Sequence, residues 1–274
     1  MAEVIERIIP APRPTMEKGA LLRRLNQGYY TLELLNALAT AYYFNYLFFY
    51  LKEHFGFGDR RNLLVTALYG FVYMFAAWYG GRFGKKHGYF LALRIGFVGM
   101  ALVMAFGGLA PRILGYSHPM MLLELAIVVA WTLSMCFTWP TLQSLLSQEQ
   151  APGELSRTAG VYNMVWAGAS ALAYLTSGAL LDKFGGETLF WLPAGLHVAQ
   201  LFLLPRLQKM HAEIPHAQPV VNADEKPASL PPLNPRPIAK ARTFVRLAWI
   251  ANPFAYMAIY GVIPIIPTLA AHFN

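Results

Sequence analysis

The chain has 274 residues, of which 56% are hydrophobic and only 13% are charged, whereas an average soluble domain has about 25% charged residues. This balance excludes an ordinary soluble domain. The formal net charge of +8 does not indicate a nucleic-acid partner, because the sequence has no basic stripe with interleaved aromatic residues. Cys136 is the only cysteine, so the sequence predicts neither a disulfide framework nor a zinc site.

The sequence also lacks the motifs that mark catalytic sites. It has no metal-spaced set of His or Cys, no GxxxxGK[ST] phosphate-binding loop and no GxSxG turn. We therefore expect no enzyme activity, no bound metal and no cofactor.

Charged residues separate seven apolar runs, each long enough to cross the ~30 Å hydrocarbon core of a bilayer. Backbone groups in lipid must be hydrogen-bonded within the chain, so helices are expected even where strand propensity is high, as over residues 42–50. The fold class predicted is an all-α, multi-pass membrane protein. The predicted spans are 29–51, 62–81, 89–110, 119–142, 159–181, 188–207 and 243–270.

The remaining segments divide the chain into four parts. Residues 1–28 form a polar N-terminal tail that precedes a six-helix unit over 29–207. Residues 208–242 are rich in Pro and polar side chains and too poor in apolar residues to form a core, which predicts a flexible linker. A seventh helix is predicted within 243–274.

The distribution of basic residues predicts the orientation of the spans. With a cytoplasmic N-terminus, 17 of the 22 Lys and Arg residues lie on the cytoplasmic side and five lie outside. Because cytoplasmic loops carry an excess of Lys and Arg, the N-terminus and the 208–242 linker are expected to be cytoplasmic.

The segment between spans two and three carries a family resemblance. Gly80, Gly81 and Gly84 are predicted to permit a tight reversal. Arg82, Gly84, Lys85 and Lys86, with the intervening aromatic residue, follow the order of a loop motif. This segment resembles that motif of the major facilitator superfamily. The acidic position of the motif falls on Gly81, so the charge relay proposed for the family's loop is not expected here.

A second resemblance lies in residues 140–195, which are similar to the family's stretch from the end of helix four to helix six. The loop containing an acid and Arg157 leads into a helix rich in small residues, which ends in the turn GALLDKFGG. Small residues let helices approach closely in membranes. We therefore predict a packing role for Gly168 and Gly178, and a place in the turn for Asp182.

The resemblance covers residues ~20–270 and implies a fold and a function. It implies a six-helix N-terminal bundle followed by the first helix of a second bundle, whose remaining helices are expected to be missing from the chain as a truncation. It further implies a secondary carrier in the plasma membrane, moving a small solute by alternating access under a proton or solute gradient. A seven-helix sensor or scaffold and a transport-dead remnant are the alternatives.

Ionisable side chains within spans are costly and are therefore candidates for substrate binding or proton coupling. Glu33 shares one face of span one with Asn36. In a transporter this face would line a central cavity. The alternative for Glu33 is hydration near the cytoplasmic surface, or pairing with Arg23 or Arg24.

Two further spans carry ionisable candidates. Glu124 begins a similar face that includes Trp131, although hydration near the outer surface is an alternative for this carboxyl. His197 lies near the middle of span six, where it is either a proton relay or a hydrogen-bonded packing residue. Spans five and seven add polar and aromatic candidates for substrate contacts, namely Asn163, Trp166, Asn252 and Tyr256.

Overall fold

The computed structural model describes residues 16–148, 150, 154–214, 243, 246–247, 250–251, 254 and 256–273. These residues form helices and short turns, with no strand among them. The helices are α1 (Met16–Phe55), α2 (Asp59–His87), α3 (Tyr89–Leu114), α4 (His118–Met135), α5 (Trp139–Ser147), α6 (Leu155–Phe184) and α7 (Thr188–Ala212). A C-terminal stretch, Tyr256–His272, contains a 3-10 turn at Ile263–Ile265 and leads into α8 (Ile266–Phe273).

The all-helical membrane fold expected from the sequence is confirmed. Five helical segments of the described chain are long and apolar enough to cross a membrane, and they correspond to predicted spans two to six. Only 17% of the most apolar part of α2 is buried, as expected for a helix that faces lipid. Helix α1 is 40 residues long but less apolar, because polar residues and tyrosines are interspersed along it. The membrane crossings of α1 and of 243–270, and the four-part division of the chain, stay predictions.

Predicted span four is a bent helix rather than a straight one. Its two parts, α4 and α5, are separated by residues 136–138. Pro140 has no N–H with which to reach the carbonyl of Cys136 four residues earlier, and the backbone tightens there through a bond from the N–H of Phe137 to the Ser134 carbonyl. The bend places Thr138 in the interior of the bundle.

The reversal between spans two and three was wrongly assigned to Gly80, Gly81 and Gly84. These three glycines lie inside α2, which continues to His87. The chain turns instead at Gly88, whose φ of +103° favours glycine. The basic residues of the motif therefore lie on the last turns of a helix, where cations interact favourably with the helix dipole.

Helix α1 packs most extensively against two other helices. It packs against α6 and α7, while α3 packs against α4 and α7, and α2 packs against α4. The C-terminal stretch lies across α1 and α2 and is held by polar contacts at one end of the bundle. The Lys52 ammonium donates to the carbonyl oxygen of Pro267 at 2.7 Å, the Asn62 amide donates to that of Pro264 at 3.0 Å, and the hydroxyl of Thr268 donates to the Asp59 carboxylate.

Candidate functional site

A cavity of about 280 Å³, named the central cavity here, lies between α1, α6 and the C-terminal stretch. Residues 37, 40, 41, 44 and 45 form the α1 wall, and residues 166, 167, 170, 171 and 174 form the α6 wall. Both sets follow helical spacing, so each belongs to a single helix face. The cavity is lined by aromatic rings, including those of Phe44, Tyr69, Trp139, Trp166, Tyr256 and Tyr260.

Aromatic contacts join the C-terminal stretch to the cavity wall. The ring of Tyr260 lies 5.6 Å from that of Phe44 and 5.9 Å from that of Tyr69, and it stacks on Tyr256 at 6.0 Å. Offset and edge-to-face pairs at these separations stabilise helix contacts beyond the burial of apolar area. The C-terminal stretch is thus an integral wall of the cavity.

Glu33 is fully buried on α1, so the alternative of hydration near the membrane surface is wrong. Neither carboxyl oxygen has a hydrogen-bond partner among the described residues. Trp139 and Tyr162 are close enough to interact with the carboxyl. Trp139 lines the central cavity, and Tyr162 lines a second pocket of about 280 Å³ beside α5 and α6. Glu33 therefore lies between the two pockets.

Asn36, one turn further along α1, is also fully buried. Its amide nitrogen donates to the hydroxyl oxygen of Thr138 at 3.3 Å, while its carbonyl oxygen has no partner within the described chain. Thr138 also donates to the Met135 carbonyl at 2.8 Å. Asn36 thus links α1 to the bend between α4 and α5.

The Glu124 carboxyl forms a separate buried centre on α4. It is fully buried, so the predicted alternative of hydration near the outer surface is wrong here too. Its Oε1 accepts a hydrogen bond from the Tyr43 hydroxyl at 3.2 Å, and its Oε2 has no partner in the described ranges. Trp131 packs edge-on against Tyr43 at 4.9 Å. Neither Glu124 nor Trp131 lines the central cavity.

His197 is fully buried on α7 and connects through Gln200 to α1. Its Nδ1 lies 2.8 Å from Oε1 of Gln200, whose amide nitrogen donates to the Leu32 carbonyl at 2.8 Å. The imidazole stacks near Phe97 with ring centres 6.3 Å apart. These linked side chains hold α7 against α1, while Nε2 of the ring has no hydrogen-bond partner within the described ranges. The packing role and the proton relay both stay predictions for His197.

The aromatic and polar candidates on spans five and seven do not all line the same pocket. Trp166 and Tyr256 both line the central cavity. Asn163 is exposed and lines the second pocket instead. Asn252 lies outside the described residues.

The family assignment follows from a sequence comparison that covers most of the chain. The sequence model of the Major Facilitator Superfamily matches residues 29–274. The chain belongs to the major facilitator superfamily. No curated protein and no solved structure matches it.

The residues of the loop motif differ in their exposure to solvent: the basic side chains are exposed and the glycine is buried. Arg82 is exposed and its guanidinium lies 3.9 Å from the ring centre of Trp78, a cation–π contact. Lys85 and Lys86 are exposed, whereas Gly84 is buried next to α5. The motif therefore combines a close helix contact with a basic helix end.

The small residues of α6 differ in their surroundings. A Cβ atom at Gly178 would lie 3.4 Å from the Tyr46 hydroxyl oxygen, which is ordinary contact with α1. A Cβ atom at Gly168 would meet no described atom within 4 Å, so contacts among the described helices do not require glycine at that position. Asp182 is exposed on the last turn of α6.

Three residues of the site did not stand out in the sequence. Asn45 lies on the cavity wall and Tyr162 and Trp139 lie beside Glu33. Asn45 carries a usable signal, because it is a polar residue within the aromatic run YYFNYLFFY. Nothing in the sequence indicates that Tyr162 and Trp139 lie beside Glu33, since both are more than 100 residues away from it in the chain.

Proposed function

We propose that this chain is the N-terminal half of a secondary carrier that moves a small solute across the plasma membrane by alternating access. The observation that supports it is the central cavity between α1, α6 and the C-terminal stretch, in a chain of the major facilitator superfamily. Carriers of this kind bind solute near the bilayer midplane, between two bundles that rock against each other. A second six-helix bundle would complete the cavity.

The proposed orientation places the N-terminus and the end of α2 that carries Arg82 in the cytoplasm. The contacts of Lys52 and Asn62 with the C-terminal stretch then lie at the opposite, outer end of the bundle. They hold the first helix of the second half against α1 and α2, which supports a state closed to the outside. Opening to the outside would require these contacts to break.

Glu33 is the residue we propose for proton coupling. A charged carboxylate buried without an opposite charge is costly. The side chains that interact with Glu33 among the described residues, Trp139 and Tyr162, are neutral. Protonation of the Glu33 carboxyl would remove this cost. The carboxyl would take up or release its proton when rocking of the two halves brings water to it. Its position between the pocket lined by Trp139 and the pocket lined by Tyr162 fits that exchange.

The test uses the intact native product in proteoliposomes. Labelled neutral, anionic and cationic solutes are screened for uptake under an inward proton gradient, and the Glu33→Gln variant is then compared with wild type. We expect the variant to lose gradient-driven accumulation while it retains exchange of solute across the membrane. Glu53→Gln is the matched control, because Glu53 is an exposed carboxyl on the same helix.

Two outcomes would overturn parts of the proposal. Gradient-driven, pH-dependent uptake that survives Glu33→Gln would remove Glu33 from the coupling step. Absence of uptake for every solute class would remove the carrier function itself and favour a scaffold or a transport-dead remnant.

A further inference from the structure

The second pocket has a polar lining and room for water. Most of its described lining residues carry a hydrogen-bonding side chain, namely Gln143, Ser147, Thr158, Tyr162 and Asn163. Its volume of about 280 Å³ is well above the ~10 to 15 Å³ that one water molecule needs. The last turns of α5 and the first turns of α6 form the pocket, and they lie at the cytoplasmic end in the orientation proposed above. The pocket can therefore hold water that is continuous with the cytoplasm.

Of the two side chains named above as neighbours of the Glu33 carboxyl, only Tyr162 can pass a proton. The indole of Trp139 donates an N–H but does not accept, whereas a phenol both donates and accepts. Trp139 lines the central cavity and Tyr162 lines the second pocket. The neighbour that can conduct a proton therefore lies on the side of the second pocket.

Tyr162 connects the buried carboxyl to this pocket. Its side chain is 6% exposed, and its hydroxyl interacts with the Glu33 carboxyl and with the side chain of Gln143. Gln143 is exposed and lines the pocket, whereas Glu33 is fully buried. A second bundle that covered the pocket would not interrupt these contacts, because they lie within the described helices.

We propose that the second pocket is the cytoplasmic water route to Glu33 and that the proton passes through the hydroxyl of Tyr162. On release, the Glu33 carboxyl transfers its proton to the Tyr162 oxygen while the phenolic proton moves to water in the pocket. Uptake from the cytoplasm reverses both transfers, so one proton moves and Tyr162 stays a neutral phenol. This proposal rests on the carrier function proposed above, since it gives the route of the coupling proton.

The test follows hydrogen–deuterium exchange of the Glu33 carboxyl in the 274-residue chain in lipid nanodiscs. The C=O stretch of a protonated carboxyl shifts on deuteration, so infrared spectra recorded after transfer to heavy water report the exchange. The band that Glu33→Gln removes is assigned to Glu33. We expect Tyr162→Phe to slow the exchange at least about tenfold, because a positioned group contributes ~10²-fold or more to proton transfer. Tyr73→Phe is the matched control, since Tyr73 is close enough to interact with the charge of Glu33 but lines neither pocket.

Filling the pocket provides a second test. Ser147→Cys places a thiol on the lining of the second pocket, whereas Ser156→Cys places one at an exposed position of α6 outside that lining. Both variants are modified with a bulky methanethiosulfonate reagent. Wild type is the unmodified reference, because Cys136 is buried. Exchange should slow in modified Ser147→Cys and not in modified Ser156→Cys.

The outcomes separate the proton route from the carrier function. Unchanged exchange in either Tyr162→Phe or modified Ser147→Cys would overturn the route, as would equal slowing in Tyr73→Phe or the absence of a carboxyl band that depends on Glu33. Proton-coupled uptake by the intact product, together with unchanged exchange in Tyr162→Phe, would leave the carrier standing without this route. Exchange that depends on Tyr162 and on the open pocket, without uptake of any solute, would support the route and contradict the carrier.

Discussion

Gly80 provides a stringent test of how α2 and α4 meet. A Cβ atom at this position would lie 2.1 Å from the backbone carbonyl oxygen of Cys136. This is the carbonyl that Pro140 leaves without its helical donor, so the close approach of α2 depends on the bend between α4 and α5. A backbone atom cannot rotate away, and relieving the overlap requires the two helices to separate by about 1 Å, given that carbon and oxygen in contact are normally more than ~3 Å apart. We expect Gly80→Ala to destabilise the bundle by about 2 to 3 kcal/mol, the upper part of the range for overpacking.

The neighbouring glycine is a matched control for this substitution. A Cβ atom at Gly81 would lie 3.6 Å from the Pro140 side chain, which is ordinary contact, so Gly81→Ala should be neutral or stabilise α2 by up to about 1 kcal/mol. The assay is unfolding of each variant by SDS in mixed micelles, followed by circular dichroism. Equal stability of the two variants would refute the close approach of α2 to the Cys136 carbonyl.

Two further predictions follow from hydrogen bonds near the ends and the centre of the bundle. Tyr43→Phe leaves Oε1 of Glu124 without its donor and should cost about 1 to 3 kcal/mol in the same unfolding assay. Tyr42→Phe removes a buried hydroxyl without a partner in the described chain and should not cost stability; equal losses in the two variants would contradict this assignment. The hydrogen bonds from Arg112 at 2.5 and 3.2 Å lower the pKa of Glu187, so the ion pair contributes above the ordinary pKa of a carboxyl, and its contribution is lost as the pH falls through the lowered value. Glu187→Gln should therefore lower the thermal midpoint slightly at pH 7 and by less at pH 3, with the pH 7 difference shrinking in high salt; a difference that is undiminished at pH 3 would contradict the ion pair.

The membrane fold could be predicted from the sequence because the thickness of a bilayer sets the length of an apolar run. Five of the predicted spans coincide with helices of sufficient length and hydropathy. The bend in span four could not be predicted from the sequence, although the sequence contains Pro140. The packing at the bend depends on Gly80 of α2, which lies next to the Cys136 carbonyl.

The candidate site was only partly accessible to sequence reasoning. Polar residues in apolar runs are rare enough to stand out, so the sequence alone marks Glu33, Asn36 and Glu124 as candidates. Their depth could not be predicted, since burial depends on which helices surround α1 and α4. The composition of the cavity wall depends on the rotation of α6 and on where the C-terminal stretch lies, so Trp166 could be separated from Asn163 only in three dimensions.

The measurement that tests the account most directly is proton movement driven by solute. The intact product is reconstituted in weakly buffered proteoliposomes, a transported solute is added outside, and the external pH is followed with a fluorescent indicator. Proton-coupled uptake predicts that the external pH rises in wild type and in Glu53→Gln, and that the rise is lost in Glu33→Gln while solute still equilibrates. A pH rise that persists in Glu33→Gln, or solute uptake without a pH change in wild type, would contradict coupling through Glu33.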